Sequence, residues 1–282
     1  MKRQRIAYSL VFLFIMAVFS QNLVFAGESA KIPPPPLKYP QGELGNMVKL
    51  GEKLVMETNT QPLTKAYVGN DLKCTSCHLE GGKKPNRGST FIGTAANFPA
   101  KGPREKTILT LQDRILNCFM RSMGGTRPPV GSKPAIAMTA YITWLSKGLP
   151  LSMLPDKPVS LFNRPFPNKA IKPFVKKADL KKGAALYKKR CVVCHGSNGQ
   201  GDGDENPPLW GSRSYNKGAG LANNLKLATW LQYNMPLGDE NLTNREAADI
   251  ARFVNSHKRI GFNLRKRLPE ASKMGVYNGQ VK

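Results

Sequence analysis

Cys74-Thr75-Ser76-Cys77-His78 and Cys191-Val192-Val193-Cys194-His195 are one pattern, C-x-x-C-H, written twice and 117 residues apart. Two cysteines at this spacing reach both vinyl groups of one porphyrin as thioethers, and the adjoining histidine offers an imidazole nitrogen to the iron. Each copy reads as the attachment site of one haem c. Cys74 and Cys77 hold the first haem, Cys191 and Cys194 the second, with His78 and His195 as iron ligands. The same offset carries Cys118, forty residues after His78, onto Met235, forty residues after His195. A histidine and a downstream sulfur complete an axial pair, so each copy contains its own ligand set. This internal repeat organises the chain.

Outward from each motif the surroundings also repeat. Leu44, Met47, Val48, Leu54 and Val55 mark an amphipathic helix ahead of the first motif. Its counterpart runs from Asp179, an N-cap, through Leu180, Gly183, Leu186 and Tyr187 to Cys191. The first copy has a longer loop, residues 59–72, between helix and motif. Glycine- and proline-bearing loops follow both motifs, and a proline carbonyl is expected to hold the other nitrogen of the ligand histidine. Thr110 and Asp113 form a helix start, after which Ile115, Cys118, Phe119 and Ser122 share a face with Arg121 alongside. Leu227, Trp230 and Leu231 lead helically to Met235, where Pro236 stops the turn. Met138, Tyr141, Ile142 and Leu145 stripe one closing helix; Ala247, Ile250 and Val254 stripe the other, behind a Thr243/Glu246 capping box.

Strand patterns are nearly absent, and the predicted fold is all-α. It resembles the small class I cytochrome c domain twice over, at residues 27–149 and 178–282, joined by a long proline-rich linker at 150–177. The basic tail after Arg259 shows no pattern. Residues 1–26 read as a signal peptide: a basic start, an unbroken apolar run from Leu10 to Phe19, and cleavage after Ala26. A retained anchor is the rival, but the run is shorter than the ~20 residues a span needs. Export to the periplasm agrees with cysteine usage, since four of the five cysteines belong to the motifs and none is left to pair with another.

The formal charge is +25: +3 in residues 1–26, +9 in residues 27–150 and +13 in residues 151–282. Such a field concentrates small anions or docks an acidic partner. With no recognition motif in an exported haem protein, nucleic acid is excluded as a partner.

Met235 as an iron ligand suits electron transfer, because a thioether stabilises Fe(II) and raises the potential. Cys118 suits other work. A thiolate on iron lowers the potential but is also a sulfur nucleophile. The competing reading makes Cys118 a small buried hydrophobe, with Met120, Met123 or Met138 as ligand of the first haem.

The first motif with its continuation Leu79-Glu80-Gly81-Gly82, the segment Arg114-Ile115-Leu116-Asn117-Cys118-Phe119-Met120-Arg121-Ser122-Met123, the second motif and Asn234-Met235-Pro236 together resemble the dihaem thiosulfate dehydrogenases, which also act as tetrathionate reductases. The resemblance spans nearly the whole mature chain. It implies an active-site haem ligated by His78 and Cys118, and an electron-relay haem ligated by His195 and Met235. It implies 2 thiosulfate = tetrathionate + 2 electrons as the reaction. The pocket arginine falls on Arg104 and the pocket serine on Ser122; Lys106 and Arg121 are further candidate cations. A second family arginine falls on Ile108, and a lysine that several relatives carry before the methionine is Asn234 here. An amide cannot replace methionine on the iron, so histidine/methionine ligation is expected in both redox states. Arg114 is expected to pair with a haem propionate or an acidic side chain, and His257 to be a surface helix-end residue. A soluble c-type cytochrome is the expected redox partner, and the protein is expected to be a monomer without a stable membrane anchor. Two alternatives remain: a non-enzymatic dihaem electron carrier, and the dihaem subunit of a thiosulfate-oxidising complex.

Overall fold

Val48, Gly51, Leu54 and Val55 fall on one buried face of helix α1 (Gly42–Met56), and that face sets how the first half is built. The computed structural model describes residues 33–85, 89–151, 168–203 and 205–268. The expected signal peptide, most of the expected linker and the last fourteen residues lie outside these ranges. A short helix α2 (Pro62–Lys65) follows in the long loop, and tight turns at Cys74–Ser76 and Leu79–Gly82 carry the first motif. A two-residue antiparallel pair, β1 (Ala100–Lys101) with β2 (Ile108–Leu109), matches Ala100 to Leu109 and Lys101 to Ile108. Then come α3 (Leu111–Arg121) and α4 (Lys133–Trp144).

α4 lies across α1. The crossing depends on Gly51, where a Cβ would stand 1.9 Å from the Ala137 carbonyl oxygen. The second half repeats the device. α5 (Lys172–Lys176), α6 (Leu180–Arg190), α7 (Val192–His195), α8 (Asn224–Asn234) and α9 (Asn244–Ser256) follow in order. α6 crosses α9 at Gly183, where a Cβ would stand 2.1 Å from the Asp249 carbonyl oxygen. Each half thus folds its motif-bearing segment between a first and a last helix that touch, the all-α arrangement the repeat implied.

The helix ends follow local chemistry. Thr110 and Asp113 bond each other's backbone N–H at the start of α3, as do Thr243 and Glu246 at α9, and Asp179 accepts from Lys181 and Lys182 at α6. α8 ends at Asn234, with Met235 extended after it.

Two segments read as patternless are ordered. Ile171, near the end of the linker, is fully buried in the second core beside α5. Beyond Arg259, Gly211 bridges to that residue, Lys217 N–H donates to the Ile260 carbonyl at 2.9 Å, and Arg127 N–H to the Arg267 carbonyl at 3.0 Å. These are backbone pairings of irregular chain, which leave no periodicity to read. The halves also exchange side chains: Tyr215 and Ala219 belong to the first apolar cluster, while Leu79 packs on the second.

Candidate active site and haem-attachment sites

Both motif histidines are prepared for a metal. His78 Nδ1 lies 3.1 Å from the Ser89 carbonyl, and His195 Nδ1 lies 3.0 Å from the Pro207 carbonyl. A carbonyl only accepts, so each Nδ1 carries the proton and each Nε2 keeps its lone pair for iron. Burial pushes His78 down to about 4 and lowers His195, which holds both rings neutral as ligation requires. The expected proline carbonyl therefore serves the second histidine, and a serine carbonyl serves the first. Phe91 stacks on the His78 ring with centroids 4.1 Å apart. None of Cys74, Cys77, Cys191 and Cys194 is held in a disulfide. The donor set at both motifs suits a covalently held haem.

Met235, Cys191 and Val192 each pack against the second core. Cys118 is half-buried on α3 and is an electrostatic neighbour of both Cys74 and Cys77. The rival sulfurs are placed otherwise: Met120 is fully buried, and Met123 and Met138 pack in the first apolar cluster.

The cations gather around Cys118 in an unforeseen way. Arg114, one turn earlier on α3, donates from Nη1 to Cys118 Sγ at 3.0 Å. The i,i+4 spacing brings it to the sulfur. Its electrostatic interaction with Cys118, outweighing its own burial, holds Arg114 above the usual arginine value. Arg104, in the turn between β1 and β2, donates to the Gly218 carbonyl at 2.7 Å, and Arg121 Nη1 reaches the same oxygen at 3.5 Å. Part of Arg104 meets solvent, yet crowding by protein and then the charges of Arg114 and Arg121 push it down to about 10, still protonated at neutral pH. Arg121 also meets Glu105 at 3.5 Å and lies over the Phe262 ring. Lys226 on α8 is a further member: burial, then Arg104 and Arg114, lower it. Nothing in the linear chain ties residue 226 to residue 118, so only the packing of the halves reveals it.

Ser122 caps α3, its N–H on the Cys118 carbonyl at 2.8 Å. Lys106 stands exposed in the same turn as Arg104 with φ +59°, and no bond from its side chain to the others appears among the described residues. Ile108 lies exposed on β2. His257 ends α9 half-buried and stacks on Trp210 at 3.8 Å between centroids.

Comparison with known proteins identifies the family and the two domains. Residues 64–151 match the family described as SoxA/TsdA, cytochrome c domain, and residues 180–258 match cytochrome c. A thiosulfate dehydrogenase of Thiomonas intermedia is 37% identical over 241 residues, which cover 83% of this chain and 73% of that one. The chain belongs to the thiosulfate dehydrogenase family. A second member, from Allochromatium vinosum, is 35% identical over 78% of this chain and 81% of its own. The thiosulfate dehydrogenase (TsdBA) structure from Marichromatium purpuratum superposes with a TM-score of 0.71 at 35% identity, over 80% of this chain. This chain spans about half, 49%, of that longer one. As a thiosulfate dehydrogenase family member with two cytochrome c domains, the protein carries two covalently bound haem c groups. Among the described residues no helix is long and apolar enough to cross a membrane.

Proposed function

We propose that this protein is an exported, periplasmic oxidoreductase that interconverts thiosulfate and tetrathionate, with Cys118 as the reacting sulfur. The observation that carries the reading is the 3.0 Å contact of the Arg114 guanidinium with Cys118 Sγ, inside a group of further cations. A cysteine kept only for packing has no use for a guanidinium on its sulfur. A sulfur nucleophile does, because the thiolate is the form that attacks another sulfur.

Two thiosulfate dianions repel each other, and fixed positive charge is needed to bring them together. Arg104, Arg114, Arg121 and Lys226 supply it, with the Ser122 hydroxyl as a hydrogen-bond donor on the Cys118 face and Lys106 at the rim. The Cys118 thiolate bonds to the sulfane sulfur of one thiosulfate with loss of two electrons. The sulfane sulfur of a second thiosulfate then displaces Cys118 and leaves as tetrathionate. In reverse, the Cys118 thiolate attacks the central S–S bond of tetrathionate and releases one thiosulfate; two electrons release the other. When bound, the haem held by His78 and Cys118 and the haem held by His195 and Met235 each supply a one-electron acceptor. The Arg114 contact favours this enzyme over a plain dihaem electron carrier.

A soluble c-type cytochrome or similar acceptor with an acidic face is the proposed partner. Lys188 and Lys189 of α6 lie a few residues before the second motif and put positive charge near it along the chain. The test is Cys118→Gly in the purified dihaem protein. Turnover with thiosulfate and with tetrathionate is expected to vanish while both haems stay covalently attached. Retained turnover overturns the mechanism.

A further inference from the structure

Asn234 directly precedes Met235, and its side chain is fully buried. A primary amide so enclosed has to find partners at both ends. Its Nδ2 donates to the Trp230 carbonyl at 2.7 Å, back onto α8. Its Oδ1 accepts the Ser89 hydroxyl at 3.0 Å, from the other half of the molecule. Ser89 is itself fully buried, and its carbonyl is the acceptor for His78 Nδ1. A parallel bond runs from Trp230 Nε1 to the Cys77 carbonyl at 3.0 Å. The last turn of the helix leading to Met235 is therefore fastened to both Cys77 and the support of His78. One residue, Ser89, faces both ways: carbonyl to the first site's ligand, hydroxyl to the neighbour of the second site's ligand.

We propose that Ser89 and Asn234 are positioning residues that couple the two haem sites. The inference rests on His78 and Met235 as iron ligands and is independent of the sulfur chemistry. A carbonyl held firmly on Nδ1–H makes the imidazole a stronger donor and favours the ferric state. The Asn234 bond fixes Ser89 and so fixes that carbonyl; in return, Ser89 fixes the backbone from which Met235 reaches its iron. A coupling of this kind is reciprocal. A change in ligation at either site alters the binding of electrons at the other.

The test is an optical redox titration of the purified dihaem protein, together with a thermal scan of the methionine-to-iron charge-transfer band. Ser89→Ala removes the hydroxyl and leaves the carbonyl in the chain. It is expected to shift the midpoint potential of the first haem upward and to make the methionine band of the second disappear at a lower temperature. Ser89→Thr restores a hydroxyl and is expected to recover both. Asn234→Leu made by itself is expected to raise the first haem's potential and to lower the temperature at which the methionine band is lost, and to add nothing to the first-haem shift on top of Ser89→Ala. Unchanged first-haem potential in Ser89→Ala, or additive shifts in the double variant, overturns the coupling. Absence of the methionine band in the oxidised parent protein overturns the ligand reading and the coupling with it.

Discussion

Arg114 is set one turn before Cys118, and on a helix that spacing alone brings a guanidinium to a sulfur. Arg114→Met keeps the length of the side chain and removes the charge. It is expected to lower kcat/KM for thiosulfate roughly 10- to 100-fold, the loss of one charged hydrogen bond of about 1.5–3 kcal/mol. Steady-state kinetics with haem content held equal checks it. Lys226 adds a pH dependence. Burial and cationic neighbours disfavour its charged form, so it loses its proton below the ordinary lysine value. As pH rises through that range the pocket loses a cation, and KM for thiosulfate is expected to climb. In Lys226→Met this limb of the KM–pH profile is expected to flatten at the high-KM end; an unaltered profile would remove Lys226 from the anion site.

At the scale of the element, α3 is the part that must not move, because it carries Cys118. Its start is held twice. Asp113 accepts from Thr110 N–H and hydroxyl, and its other oxygen accepts from the fully buried Arg127 at 2.6 Å. Asp113→Ala removes the capping box and leaves a buried guanidinium without its carboxylate, so a destabilisation of about 3–5 kcal/mol is expected, read by thermal or denaturant unfolding of the dihaem protein. The two helix crossings are equally intolerant. A methyl group at Gly51 or Gly183 would meet a backbone carbonyl that cannot rotate away, and either change to alanine is expected to cost about 1–3 kcal/mol. Unfolding midpoints equal to the parent's would show that the helices can separate without penalty.

Over the whole molecule, 43 lysines and arginines stand against 18 carboxylates, and Lys188 and Lys189 lie a few residues before the second motif. Electron exchange with an acidic cytochrome is expected to slow as ionic strength rises, while exchange with an uncharged small acceptor stays constant. Stopped-flow rates across a salt series check this, and Lys188→Glu with Lys189→Glu is expected to reproduce the high-salt rate at low salt.

Much of the architecture is local and could be read in the chain. The spacing within each C-x-x-C-H, the offset shared by Cys118 and Met235, the caps at Thr110, Asp179 and Thr243 and the apolar stripes of α1, α4 and α9 all concern residues a few positions apart, or a repeat at a constant interval. Arg114 on Cys118 was available from i,i+4 geometry, but in a chain with 43 lysines and arginines no one cation stands out. What only the tertiary structure decided involves groups far apart in sequence. Lys226 beside the arginines, the return of Phe262 and Arg267 onto the first half, and the Ser89–Asn234 bond across the two halves are of this kind. A buried amide must find its partner wherever the fold puts one, and that demand leaves no trace in periodicity or spacing.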